Sequence, residues 1–421
     1  MGKFNFSPVD FFFTCAGLLC LLADIVLDVY ASVSFYKEKA YVSLGLLMLF
    51  LVGSSVLTQV YSWLWYSYED FERNTKVEKY LNPSQLRTLH VFQLGIYIRH
   101  ASVVETSLLR ICKHDNVSGD LAVYLSHDLS MLRLIETFSE GAPQFVLMLT
   151  LLLRHGQLDP ITVLKAIGSA SAIACSVTMY HRSLRSFLPD KEKQLILSSV
   201  IYFIWNLILL SSRLTALALF ASVMPCFIFT HFLCSWLVFF FFAWRAKTNF
   251  MDSKGGEWLY RATVGLIWYF DWFNVVEGKT RNSTLLYHSF ILADISLLCG
   301  LWYWKMCTDP PSFEIPQLYA LITAVSVVGF YIFGLLFKII YYKCYHPNLG
   351  KEQLKGGASD GPPAGPQTGT AESFRTMSND VDADDIFRCL SSDVTDHSSS
   401  AAPDVKRCNK RMRKLAETFY S

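Results

Sequence analysis

Charge is what this chain has least of. Only 17% of its 421 residues are Asp, Glu, Lys or Arg, against 52% hydrophobic and 15% aromatic residues. Soluble domains carry about 25% charged residues, so the balance argues against a chain surrounded by water. The formal net charge is +2, and no block of Lys and Arg forms a stripe suited to nucleic acid. A phosphate loop, a nucleophile elbow and a His pair at metal spacing are all missing, so the chain is expected to be no enzyme and to need no cofactor. The eleven cysteines show neither zinc spacing nor a dense disulfide framework. Most fall inside apolar runs (Cys15, Cys20, Cys175, Cys234, Cys299) and read as buried small hydrophobes. A cleavable leader is not expected either: Lys3 is followed by an apolar run too long for a signal peptide, with no small-residue cleavage site.

Long apolar runs are what the chain has instead. They fall at 11–35, 41–66, 128–153, 161–182, 195–221, 223–245, 284–306 and 317–343. Repeated runs of about 18–25 residues indicate a polytopic all-α membrane protein. Two further segments, 84–105 and 258–275, carry internal charge (Arg99 and Glu105; Arg261 and Asp271). They read as re-entrant half-helices, which are tolerated where protein covers them. Lys and Arg concentrate in 67–90, 182–194 and 245–256, which read as cytoplasmic, while 307–316 has neither and reads as external. The count is eight transmembrane helices plus two half-helices, with both termini cytoplasmic. Cys226 and Cys307 then lie near the outer side, where a disulfide between them is one option.

The order of runs repeats: a tight hairpin, a charged linker, a marginal segment and a second hairpin. Residues 1–194 and 195–347 thus read as two parallel pseudo-symmetric repeats, with a functional path expected at their seam. Beyond His346 and Pro347 the composition changes. Residues 348–405, with GGASDGPPAGPQTGT and an Asp- and Ser-rich stretch, read as a disordered linker. Residues 406–421 close in a basic segment where Met412, Leu415, Ala416 and Phe419 follow helical spacing. That pattern suggests an amphipathic docking helix on a tether.

Charges inside the apolar runs are the functional signal, because each costs roughly 2.5–3.5 kcal/mol at bilayer depth on insertion scales. The stretch HDLSMLRLIETFSEGAPQ holds Asp128, Arg133, Glu136 and Glu140. The three acids are separated by multiples of four and are expected on one broad helix face. Asp24 and Asp28 share a face of the first run in the same way. They mark either a polar path or structural ion pairs, with Arg99, Arg133 and Arg213 as candidate partners. Asp294 and Lys338 add one charge each to the last hairpin, and Lys338 is expected to snorkel to the cytoplasmic boundary. Glu136 and Glu140 with a third carboxylate could also hold a hard cation, but no ligand-rich loop supports it. The segments YSWLWYSY (61–68) and WYFDWFNVVEG (268–278) read as an interfacial aromatic belt. His181 reads as a capping or interface residue. The sequons at Asn116 and Asn282 fall on the cytoplasmic side of this topology and are expected to go unused.

LADIVLDVY, DLSMLRLIETFSEGAPQ, YHRSLRSFLP, SSVIYFIWNL and EWLYRATVGLIWYFDWFNVVEGKTR resemble signature stretches of the XK-related membrane proteins. The likeness covers roughly residues 8–347 and the closing KRMRKLAETF, and is strongest to the caspase-activated phospholipid scramblases of that family. It implies eight spans and two half-inserted helices. It also implies ATP-independent, nonselective scrambling of phospholipids that exposes phosphatidylserine at the plasma membrane. The implied charged path matches Asp24, Asp28, Arg99, Asp128, Arg133, Glu136, Glu140, Arg182, Arg213 and Asp294. An executioner caspase would remove the C-terminal inhibitory helix, which carries Met412, Leu415 and Phe419. The implied partner is a single-pass immunoglobulin-type subunit, basigin or neuroplastin. The tail departs from the usual Asp-x-x-Asp–Gly site: Asp396 ranks first, then Asp382, with Asp385 as a further option. Two other classes stay open on the residues alone: a transporter or channel for a polar solute or ion, and a noncatalytic membrane scaffold.

Overall fold

The computed structural model describes residues 8–68, 74–113, 116–155, 160–187, 194–275, 281–309 and 316–345. The expected cleavage sites Asp382, Asp385 and Asp396 and the inhibitory-helix residues Met412, Leu415 and Phe419 lie outside the described residues. Every described element is a helix: α1 (Pro8–Lys37), α2 (Tyr41–Tyr68), α3 (Lys76–Lys79), α4 (Pro83–Val91), α5 (Gly95–Lys113), α6 (Asn116–Glu136), α7 (Ala142–His155), α8 (Pro160–Phe187), α9 (Ile196–Val223), α10 (Phe227–Arg245), α11 (Lys254–Phe270), α12 (Arg281–Thr308) and α13 (Gln317–Ile340). Two π-helical turns, Thr137–Gly141 and Tyr341–Tyr345, join α6 to α7 and prolong α13. Among the described residues, six helical stretches are long and apolar enough to cross a membrane: Gly17–Lys37, Tyr41–Tyr68, Ile196–Val223, Phe227–Arg245, Asn282–Thr308 and Gln317–Cys344. This is a multi-pass membrane protein. The apolar runs at 128–153 and 161–182 fall on α6–α7 and α8, where charged and small polar residues dilute the hydropathy.

The sharp turns are made without glycine. Lys39 (φ 57°) and Gln93 (φ 62°) take the left-handed conformation just past α1 and α4. The amide of Ala40 then donates to the Phe35 carbonyl (2.9 Å), and that of Leu94 to the Leu89 carbonyl (2.7 Å). Each closes its helix in a Schellman motif that satisfies otherwise orphaned carbonyls. The segment expected as one half-helix at 84–105 is therefore broken into α4 and α5. Glu78 supplies the fold-back before it: its carboxylate accepts from the Thr75 amide and from Tyr66 Oη.

Helix α9 is the centre of the body. It packs against α7, α8, α12 and α13 and buries Leu209, Leu210, Leu214 and the run Ala216–Ala221. Helix α1 is peripheral and packs mainly on α2 and α5. A small cluster of Ala31, Phe35 and Leu47 ties it to Leu147, Met148 and Leu151 of α7. The α10–α11 pair is in close backbone contact at Gly265, where a Cβ would sit 3.0 Å from the Phe240 backbone nitrogen. Backbone cannot rotate aside as a side-chain tip can. Gly265→Leu is therefore expected to lower stability by about 1–3 kcal/mol through overpacking. Thermal unfolding in detergent should show this against Gly329→Leu, where nothing lies within 4 Å of the added carbon.

Three expectations are corrected here. The aromatic stretches are core rather than belt: Tyr61, Trp65 and Tyr66, and likewise Trp268, Tyr269, Phe270 and Phe273, are buried. Tyr61 Oη reaches Thr263 of α11 at 2.9 Å, so one aromatic face supports the helix that the other ends. Of the cysteines whose exposure is described, only Cys299 is buried. Cys175, Cys226 and Cys234 stand on the outer helix surface, where a weakly polar thiol costs little in hydrocarbon. Cys226 and Cys307 are both free. Finally, Lys338 does not snorkel outward: its Nζ lies 2.7 Å from His288 Nε2 and 4.9 Å from the centre of the Trp205 ring.

Candidate functional site

The bend between α6 and α7 builds the site. Pro143 lacks an amide proton and its ring crowds the carbonyl of Ser139, so a regular ladder cannot run through this point. Thr137 Oγ1 and Ser139 Oγ donate back to the carbonyls of Arg133 and Ile135 (both 2.7 Å), which favours bending. The chain answers with the wide π-turn, a feature that often marks functional sites. Glu136 and Glu140 both face a cleft on the inner side of the bend.

That cleft holds about 440 Å³ and has three walls. One is α1, through Asp24, Asp28 and Phe35. The second is the α6–α7 bend, through Arg133, Glu136, Glu140 and Gln144. The third is the small-residue face of α8, through Gly168, Ser169, Ala172 and Ser176. Arg133 Nη1 donates to Glu136 (2.8 Å), and its Nη2 lies 3.6 Å from Asp24 across the cleft. Gln144 Nε2 donates to Asp28 Oδ1 at 2.6 Å. Glu140 lines the cleft together with Asp28. Asp24 is half exposed, as are Leu27 and Tyr30 nearby, so the cleft opens on the outer surface of the helices. The polar bonds between α1 and α7 also hold the peripheral helix in place.

The ten charged residues expected on one path divide into separate groups. Asp24, Asp28, Arg133, Glu136 and Glu140 share the cleft. Asp128, expected on their face, points elsewhere: it meets Arg99 Nη1 at 3.4 Å, with both side chains buried. Arg99 also donates to the Ser62 hydroxyl (2.8 Å) and carbonyl (3.0 Å) and sits over the Tyr66 ring at 4.1 Å. Asp128 and Glu136 both lie in regular α6, where eight residues at 3.6 per turn leave them about 80° apart around the axis. Arg213 and Asp294 form a third group at 2.5 Å. His231 Nε2 lies 3.0 Å from Asp294, and its Nδ1 lies 3.0 Å from Tyr269 Oη. Arg182 is a fourth position, donating to the Gln194 carbonyl and Ser199 Oγ, each at 3.3 Å.

Sequence reasoning missed Gln144, His231 and the Lys338–His288 pair. Gln144 lay inside the quoted motif but carries no charge. His231 sits in an aromatic run where a lone histidine gives no periodic signal. Among the described residues, no three His, Cys, Asp or Glu side chains converge in a way that could hold a metal ion. The cleft is thus a charged, laterally open groove on a helical membrane body, suited to a polar group that enters from the side.

A membrane protein with these features belongs to a recognisable class. The family model for XK-related protein matches residues 12–347. The chain is 43% identical over 423 residues to "XK-related protein 8" of Tetraodon nigroviridis, covering 99% of this chain and 98% of that one. It is 42% identical to the Gasterosteus aculeatus protein of the same name, covering 82% and 86% of the two chains. It is 35% identical to the Pan troglodytes one, covering 79% and 82%. The chain belongs to the XK-related family.

Proposed function

We propose that this protein scrambles phospholipids at the plasma membrane without ATP, exposing phosphatidylserine during apoptosis. In this reading an executioner caspase cuts after Asp396, or after Asp382 or Asp385, and frees the body from an inhibitory helix bearing Met412, Leu415 and Phe419. The body has eight spans in two parallel repeats, with α6–α7 and α8 completing the set of apolar helices and both termini in the cytoplasm. A single-pass immunoglobulin-type subunit, basigin or neuroplastin, is its partner.

The observation that carries this reading is the charged cleft opening sideways on the helix surface. A headgroup moving between leaflets must leave water while its acyl chains remain in hydrocarbon. A groove with charges inside and an open flank replaces headgroup hydration and leaves room for the tails. A solute transporter would instead need an open polar site at the centre of the body, where α9 packs closely and its buried charge, Arg213, is already held by Asp294.

The test is truncation. Protein ending at Asp396 should expose phosphatidylserine constitutively in living cells. In liposomes with fluorescent lipids it should scramble at least roughly tenfold faster than the intact chain, which corresponds to lifting about 1.4 kcal/mol of restraint. Equal rates for truncated and intact protein would rule out inhibition by the tail, and no scrambling by either would rule out the function.

A further inference from the structure

We propose that Lys338 is a covalent attachment site for fatty aldehydes, with its side-chain amine as the nucleophile and His288 as the base that frees it. This lysine lies outside the charged cleft. Lys338 and Tyr331 share one face of α13, and His288 of α12 stands between them. Lys338 Nζ lies 2.7 Å from His288 Nε2, and His288 Nδ1 lies 2.9 Å from Tyr331 Oη. An ammonium only donates, so Nε2 accepts from it, and the ring proton sits on Nδ1 and donates to Tyr331. His288 is 7% exposed and Tyr331 2%, so packing holds the imidazole in that orientation. A nucleophile in reach of a base that a third group orients is the arrangement of an activated side chain. The amine itself is only partly covered. The Trp205 ring walls it on one side, with its centre 4.9 Å from Nζ. Half-buried Leu335 and exposed Tyr342 stand one turn to either side on the same face. Approach is therefore past apolar and aromatic side chains, from the hydrocarbon, which suits a long alkyl chain.

Asp271 selects the class of electrophile. It caps the end of α11, is buried, and its carboxylate attracts the Lys338 ammonium. Acyl transfer would convert the amine to a neutral amide and strand that buried carboxylate. An aldehyde keeps the charge. The ammonium passes one proton to His288 Nε2, and the freed nitrogen attacks the carbonyl carbon. A proton shift from nitrogen to oxygen then gives a neutral carbinolamine. His288 returns its proton to the new hydroxyl, the C–O bond breaks and water leaves. The product is a cationic iminium beside Asp271, with the imidazole neutral again.

The experiment incubates the purified full chain in detergent with dodecanal and sodium cyanoborohydride, which reduces the iminium to a stable amine. Peptide mass spectrometry then reads each lysine. Lys338 should be alkylated about tenfold faster than exposed Lys343 or than Lys305, which is held by Asp309. His288→Gln cannot take up the proton and should bring Lys338 down to their rate. Tyr331→Phe keeps the ring in the core, removes the orienting hydroxyl and should slow Lys338 part of the way. Each rate is a ratio to the other lysines of the same molecule, so a general loosening of the fold, which would raise them together, does not mimic the loss. Alkylation of Lys338 no faster than of Lys343 and Lys305, or a ratio unchanged in either variant, would overturn the assignment. Lipid movement does not enter the readout, so the result is independent of whether the protein scrambles.

Discussion

Arg213→Leu is expected to remove most of the folded protein from the membrane fraction. The Arg213 side chain is only 1% exposed, and its guanidinium donates to Asp294 at 2.5 Å and to the Tyr269 carbonyl at 3.2 Å. The same group lies 5.1 Å from the centre of the Tyr269 ring. It therefore ties α9 to α12 and to the C-terminal end of α11. Removing one partner of a buried pair strands the other charge and costs about 3–5 kcal/mol. That is a large share of the 5–15 kcal/mol by which folded proteins are typically stable. His231 still contacts Asp294 but cannot replace the fixed fork of the guanidinium. The check is the monodisperse fraction on size-exclusion chromatography, with Arg213→Met/Asp294→Leu as the partner experiment. Replacing both charges with apolar groups of similar volume leaves nothing stranded, so the double variant should recover much of the loss. If the single variant stays as abundant and monodisperse as the parent, the pair does not hold these helices together.

The comparison of groups shows what a sequence can and cannot say about intramembrane charge. Six of the eight apolar runs were legible as helices able to cross a membrane, because bilayer length and hydropathy act locally along the chain. The pairing of charges was not. Multiples of four drift around a helix: at 3.6 residues per turn, eight residues end about 80° off a whole number of turns, so Asp128 leaves the face of Glu136 within α6, before the π-turn at Thr137–Gly141 begins. Pro143 and the hydroxyls of Thr137 and Ser139 were the available signals of a bend. Burial of the aromatic segments was hidden for a different reason. Trp and Tyr near span ends look alike whether they meet headgroups or a neighbouring helix, and only the tertiary contact of Tyr61 with Thr263 decides. Lys338 is the converse case: its stem could have reached the boundary, but His288 and Trp205 lie closer. The turns after α1 and α4 escaped notice because Lys39 and Gln93 occupy positions where glycine is the usual mark.

Neutralising the cleft should affect rate before it affects abundance, the reverse of Arg213→Leu. Glu140→Gln and Asp28→Asn keep side-chain volume and hydrogen-bonding capacity. Gln144 can still donate to the amide oxygen at position 28, so the latch between α1 and α7 survives in neutral form. The cleft is partly open, and removing an acid from an acid-rich group strands no partner. On the proposed lipid path, what is lost is the field that substitutes for headgroup hydration. In tail-truncated protein, the scrambling rate per surface-exposed molecule is expected to fall roughly threefold to tenfold for either substitution, equivalent to about 0.7–1.4 kcal/mol of barrier. Abundance should stay near that of the parent. Arg133→Gln should behave differently. Among the described residues lining the cleft Arg133 is the one base, and its loss removes the bridge from Glu136 toward Asp24 and leaves like charges facing one another. The decisive comparison is therefore normalised rate against abundance for all three variants. Unchanged normalised rates with reduced abundance for Glu140→Gln and Asp28→Asn would make the cleft a structural joint. Reduced rates at full abundance would place headgroup passage along it.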